Sequence, residues 1–121
     1  MTALHKDLYL DQGADWPGEA FAIVDADGNP KILGPSMIAT GVIADRDGAP
    51  LFTWSNNPTI EQGLVQFQGQ FFIPTVTAAQ TLLWRFANAP YQLYLEDPAA
   101  PLADRKIRVG DGTLYLSRAI Q

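Results

Sequence analysis

One six-residue pattern occurs twice in this chain and limits how the chain can fold. Asp-x-Asp-Gly-x-Pro covers residues 25–30 and again residues 45–50, each time after an apolar pair. An Asp-Gly step between apolar segments is the strongest short signal for a β-hairpin, because glycine adopts positive φ without strain and aspartate bonds the amides of the turn. The residues expected to shape the two turns are Asp25, Asp27 and Gly28, and then Asp45, Asp47 and Gly48. Strands that fold back on one another are therefore predicted.

The rest of the chain has the same pattern, in which turn residues separate short apolar segments. Residues 36–44 are rich in β-branched and small apolar residues, which favours a central strand, and residues 91–96 alternate as a strand does. Further strands are expected around residues 8–10, 51–54 and 113–116. Eight or nine short strands at regular spacing predict an all-β protein, an antiparallel β-sandwich.

One segment departs from the strand pattern. Residues 78–84 contain good helix formers, and Thr77 with Gln80 three residues later has the spacing of a capping box. A single short helix is predicted there, and Asn88-Ala89-Pro90 is expected to stop it.

Composition excludes several classes of protein. A length of 121 residues predicts one domain over residues 1–121, and a net charge of −5 argues against nucleic acid as a partner. The chain has no cysteine, so disulfides and zinc ribbons are excluded. No stretch approaches the roughly 20 apolar residues of a membrane helix, and synthesis in the cytosol with no membrane partner is expected.

Catalytic and metal-binding patterns are weak. The chain has a single histidine, His5, and its serines do not lie in a nucleophile elbow. The acidic turn at residues 25–29 resembles a calcium loop, but an EF-hand count from Asp25 puts Pro30 and Ser36 where glycine and glutamate are needed. Hairpin turns with solvated aspartates are the better interpretation, and no enzyme activity, cofactor or metal is predicted.

The large aromatic residues leave two interpretations open. A small sandwich without disulfides needs large side chains to fill its core, so most of the aromatics are expected to be buried. An exposed tryptophan would instead be a platform for a sugar ring, and Trp54 is the candidate exposed aromatic. A carbohydrate-binding β-sandwich used in adhesion to a host surface is thus the alternative function.

The order of the motifs resembles a family of small virion proteins from tailed bacteriophages, related to the amino-terminal domain of baseplate upper proteins. Those proteins open with E-Q-G-A-T-F, followed by a D-x-D-G-x-P turn, a central strand and a second D-x-D-G turn. Here residues 11–16 read DQGADW, with Gln12, Gly13, Ala14 and Trp16 as the matching signature, and the two turns follow in the same order. Asp11 replaces the family's glutamate and Asp15 its threonine.

The similarity continues through the second half of the chain. The family's T-A-x-x-T-x-x-L turn corresponds to residues 77–84, where the first seven positions match as TAAQTLL and tryptophan follows. Its tyrosine-rich strand corresponds to YQLYLE at residues 91–96, and its G-T-V-T-V strand to GTLYL at residues 112–116. The resemblance therefore covers nearly the full length.

This resemblance implies an immunoglobulin-like sandwich that acts as a structural component of a virion, in the tail or baseplate region or in a head-decoration or neck position. The implied partners are other virion proteins and copies of the same chain, in a symmetric homo-oligomer. Residues 1–6 would be a flexible arm that orders on assembly.

Overall fold

Nine strands and one short helix make up the part of the chain described by a computed structural model, residues 4–102 and 105–118. The strands are β1 Leu4–His5, β2 Leu8–Asp11, β3 Phe21–Ala22, β4 Ile38–Ala44, β5 Pro50–Ser55, β6 Gly63–Gln68, β7 Phe71–Pro74, β8 Asn88–Glu96 and β9 Lys106–Ser117. The helix is α1, Ala78–Leu82. The prediction of an all-β protein with one short helix is confirmed.

The strands form one path of hydrogen-bonded neighbours in the order β1-β9-β8-β4-β5-β6-β7-β3, and β2 also pairs with β9. Strand β4 lies between β8 and β5, as predicted for the central strand, and buries Ala39, Gly41 and Ile43 on one face. The two ends of the path approach each other, because the Phe21 side chain of β3 packs close to Gly110 of β9. The sheet is therefore nearly closed around its core.

Three strand pairs are parallel, so the prediction of a purely antiparallel arrangement is wrong there. Strands β1 and β2 both run parallel to β9, and β5 runs parallel to β6. Tight turns specify only antiparallel neighbours along the chain, whereas these parallel pairs join segments that longer connections separate. The first and last strands thus lie side by side.

The predicted arm over residues 1–6 needs correction for its second half. Leu4 and His5 form β1 against β9, and the Lys6 amide donates to the Asp111 carbonyl at 2.8 Å. Backbone pairing with β9 stabilises this segment, which the sequence pattern did not indicate. Residues 1–3 lie outside the described residues.

Both Asp-Gly turns form as predicted, with matching geometry. In the second turn Asp45 Oδ1 accepts from the amides of Asp47 and Ala49, each at 2.9 Å, and Gly48 has φ +87°. In the first turn Asp25 Oδ1 accepts from Asp27 at 2.9 Å and from Asn29 at 3.0 Å, with Gly28 at φ +83°. The second turn joins β4 to β5, whereas the first closes a single bridge between Val24 and Pro30.

The helix is capped as predicted but is shorter than predicted. Thr77 accepts from the Gln80 amide and Gln80 Oε1 accepts from the Thr77 amide, which completes the capping box. The helix ends at Leu82 rather than at residue 84, because the Leu83 and Trp84 amides bond carbonyls three residues back. Asn88-Ala89-Pro90, predicted to stop the helix, lies beyond its end, opens β8 and pairs with β9.

Strand β9 is continuous and contains one β-bulge opposite β8. Leu93 pairs with Gly110 and Tyr94 with Arg108, which leaves Val109 as the extra residue of a bulge. This bulge lies next to the Gly110-Asp111-Gly112 segment where the sequence indicates one.

Trp54 is a core residue, so its prediction as an exposed aromatic is wrong. Its side chain is 1% exposed, and its Nε1 donates to the Thr75 carbonyl at 2.9 Å. Gly41 and Gly63 lie against the indole, and a Cβ at Gly63 would be 2.6 Å from the indole Nε1. The missing side chains of two glycines create the space in which the indole is buried.

Tyr91 joins the amino-terminal segment to the core. Its hydroxyl donates to the Lys6 carbonyl. Burial raises the pKa of Tyr91, and the carboxylates of Asp111, Asp7 and Glu19 raise it further, so the hydroxyl keeps the proton that it donates. Gly112 leaves room for this contact, because a Cβ there would be 2.7 Å from the Lys6 carbonyl carbon.

Replacement of Gly63 by alanine is expected to destabilise the protein by about 1–3 kcal/mol, because the new methyl group would overlap the Trp54 ring. Gly34→Ala is the matched control, since a Cβ at Gly34 has no neighbour within 4 Å. Urea unfolding of both variants measures the effect. Equal free energies of unfolding for the two variants would contradict this account of the core.

Candidate interaction surfaces

The signature segment at residues 12–16 lies against the helix. The Gly13 amide donates to Thr81 Oγ1 at 2.8 Å, and Gln12 Nε2 donates to the carbonyls of Thr81 and Trp84 at 3.4 and 3.3 Å. Thr81 is fully buried, and its hydroxyl donates to the Ala78 carbonyl at 3.0 Å. Gln12 and Gly13 therefore dock α1 onto the body of the fold.

The rest of the segment continues this role. Asp15 Oδ1 accepts from the Ala78 amide at 2.7 Å, at the beginning of the helix. Trp16 is half-buried and forms an antiparallel bridge with Val76, while Ala14 is exposed. The Ala14 amide donates to the Asp11 carbonyl at 3.2 Å, so all four signature residues make contacts within the chain.

The acidic turns use their first aspartates for backbone hydrogen bonds, as described above. Within residues 4–102 and 105–118, no three His, Asp or Glu side chains converge in the way that a metal site requires. No helix of the described ranges is long and apolar enough to cross a bilayer.

A polar network lies on the outer face of β1, β9 and β8. His5 Nδ1 is 2.7 Å from Asp111 Oδ1, and Arg108 donates to Asp111 Oδ2 and to the Tyr94 hydroxyl, each at 3.4 Å. The Arg108 guanidinium and the Lys106 ammonium both lie over the Tyr94 ring. The hydrogen bond with Tyr94 raises the pKa of Arg108. These contacts link three strands across an exposed surface.

A second exposed feature is an aromatic pair. Tyr9 of β2 and Tyr115 of β9 are direct neighbours in register, and their rings stack with centroids 5.2 Å apart. The Tyr9 side chain is 71% exposed and that of Tyr115 is 39% exposed. The pair places two stacked aromatic rings on the outside of the sheet, with Tyr9 the more exposed.

A third exposed feature consists of Leu51, Ile60 and Leu83, which line one hollow and together are called the apolar surface below. Their side chains are 40%, 96% and 75% exposed. Leu51 points outward from β5, beside the buried Phe52, and Leu83 is the C-cap of α1. The helix ends at Leu82, and the side chain of Leu83 at its C-terminal end is left in contact with solvent.

Ile60 projects from a loop whose backbone is fixed. The Gln62 amide donates to the Thr59 carbonyl at 3.1 Å, and Gln62 Oε1 accepts from the Thr59 amide at 3.0 Å. Gln80 Nε2 of the helix donates to the Gln62 carbonyl at 2.8 Å. Ile60 lies between Thr59 and Gln62 in this turn. The hydrogen bonds of the turn therefore fix the backbone from which the exposed Ile60 side chain projects.

Two hollows adjoin the apolar surface, and Leu83 lines both of them. Each has a volume of about 610 Å³, and both are lined in part by Leu51, Leu83 and Trp84. The first, called the arginine hollow, is also lined by Arg46, Arg85, Phe86 and Pro90. The second, called the glutamate hollow, is also lined by Ile60, Glu61, Ala79 and Gln80.

The charges at the two hollows differ in sign. Arg46 and Arg85 border the first hollow and Glu61 borders the second. None of these three side chains takes part in the ion pairs formed among the described residues. Asp45 also borders the first hollow, but its Oδ1 is held by the turn amides.

Sequence reasoning did not find the apolar surface. Its three leucine and isoleucine residues lie in three separate elements, and no spacing in the chain links them. The one available signal was Ile60, an isolated apolar residue between Asn57-Pro58 and Glu61 in a segment otherwise rich in loop residues.

Comparison with known proteins adds no family to these observations. No protein-family model matches the chain, and no curated protein matches it significantly.

Replacement of Thr81 by valine is expected to destabilise the fold by about 1–3 kcal/mol, because the Gly13 amide would lose its acceptor with little change in volume. Urea unfolding measures this, with Thr40→Val on the exposed face of β4 as the control. A Thr81 variant as stable as the control would show that the signature segment does not stabilise the helix.

Proposed function

We propose that this chain is a structural component of a tailed bacteriophage virion, of the tail or baseplate region, with a head-decoration or neck position as the variant. It acts by protein–protein contacts and has no catalytic role. The order of motifs along nearly the full length supports the phage assignment. The all-β fold is compatible with the immunoglobulin-like sandwich that this assignment implies, and that sandwich is part of the proposal.

The observation that carries an assembly role is the apolar surface. Leu51, Ile60 and Leu83 expose branched aliphatic side chains around two shallow hollows. Burial of such exposed apolar side chains against another protein is favourable, because it removes their apolar surface from water. The first partners proposed are neighbouring virion proteins and copies of this chain.

The charge of the chain supports protein partners over nucleic acid. A net charge of −5 repels phosphate backbones. In this proposal the protein is made in the cytoplasm of the host and ends in the virion.

Purified phage particles are expected to contain this chain in a fixed number of copies per particle. Mass spectrometry of particles banded by density measures the copy number, and electron microscopy with a tag-specific antibody locates it at the tail or head. A soluble host protein of similar abundance is the control for contamination. Particles that form normally and lack the chain would overturn the proposal.

A second candidate function rests on the stacked pair Tyr9 and Tyr115. Aromatic rings that are exposed on a rigid sheet can pack against the apolar face of a sugar, so the pair supports a carbohydrate-binding role in adhesion to a host surface. Trp54 does not serve this role, because it is buried.

Under this second candidate, the Tyr9→Ala variant is expected to bind host-surface glycans at least about tenfold more weakly than the wild-type chain does, because one of the two stacked rings is lost. A glycan array followed by titration calorimetry measures binding. Tyr94→Ala is the control, since cations already cover that ring. A wild-type chain without glycan affinity, or a Tyr9 variant that binds as the wild type does, would exclude the candidate.

A further inference from the structure

The apolar surface carries features of a self-complementary contact. Ile60 is a protruding side chain, 96% exposed, on an anchored turn. The arginine hollow, which Leu83 lines, is a recess of about 610 Å³ whose apolar lining also includes Leu51, Phe86 and Pro90. The same face therefore holds both an apolar protrusion and an apolar recess.

The charges next to these two features are complementary. Glu61 follows Ile60 directly in the chain, and Arg46 and Arg85 border the recess. If Ile60 of one copy entered the recess of another, Glu61 would approach two arginines that form no ion pair within the described part of their own chain. Complementary charges at a rim favour one partner and one orientation.

We propose that the apolar surface is the contact between two copies of this chain, in which Ile60 of each copy enters the arginine hollow of the other and Glu61 pairs with Arg46 and Arg85. This inference rests on the proposed structural function and deepens it by naming the partner and the contact.

The position of the two hollows determines the symmetry. They share Leu51, Leu83 and Trp84, so the protrusion and the recess belong to one continuous face. In a head-to-tail ring, two different neighbours would need to occupy this face at the same time around Leu83. A twofold contact uses the face once in each copy and makes every contact twice. A closed dimer is therefore expected.

Replacement of Ile60 by aspartate is expected to raise the dissociation constant of the dimer at least about 30-fold, because the protruding side chain would bring a charge into an apolar recess. Analytical ultracentrifugation of the wild-type chain over a range of concentrations measures the constant. Ile32→Asp is the matched control, since Ile32 is 68% exposed and lines neither hollow. Circular dichroism verifies that both variants are folded, which their exposure favours.

Charge reversal tests the ion pairs separately. Glu61→Arg alone, and Arg46→Glu with Arg85→Glu, are each expected to weaken the dimer, whereas the triple variant should restore it toward the wild-type constant. The chain has no cysteine, so mixing Ile60→Cys and Asn88→Cys chains should yield a disulfide-linked heterodimer on oxidation, because Asn88 lines the arginine hollow. Ile32→Cys mixed with Asn88→Cys is the control.

A chain that stays monomeric, that forms larger rings, or that dimerises equally well with Ile60→Asp would overturn the proposed contact. Purified particles that contain the protein in such a case would leave the virion role intact. Conversely, a dimer that depends on Ile60 in a protein absent from particles would confirm the contact and exclude the virion role.

Discussion

The fold depends on the burial of one indole between two glycines. Trp54 lies at the centre of the core, with Gly41 of β4 and Gly63 of β6 against its ring and its Nε1 bonded to the Thr75 carbonyl. The indole of β5 occupies the space that side chains at Gly41 and Gly63 would otherwise fill. Strands β4, β5 and β6 therefore pack closely around it. Its polar nitrogen is satisfied by backbone, so this burial carries no unpaired donor. A sugar platform at Trp54 is incompatible with this arrangement.

Around that core, hydrogen bonds from polar side chains to the backbone fix the turns and the start of the helix. The two Asp-Gly turns use one carboxylate oxygen each to hold two amides, and the capping box begins the helix. The signature segment then docks the helix through Gly13 and Thr81. The signature residues Gln12 and Gly13 thus make packing contacts within this chain.

The apolar surface follows from the alternation of β5 and from the shortness of the helix. Strand β5 alternates, so Leu51 faces outward when Phe52 faces the core, and the short helix leaves Leu83 in solvent at its end. The anchored turn that carries Ile60 adds a third exposed side chain. In the proposed dimer, a second copy of this chain would cover these three side chains and turn their exposure into a specific contact.

The sequence by itself determined the local elements: the two turns, the central strand, the capped helix and the alternation that buries Tyr91, Leu93 and Leu95. These follow from backbone preferences and from spacing over a few residues. Only the tertiary structure decided that β1 and β2 run parallel to β9, that Trp54 is buried, and that Leu51, Ile60 and Leu83 meet on one face. Each of these depends on contacts between residues far apart in the chain, and such contacts form only when the sheet closes and brings separate elements to the same surface.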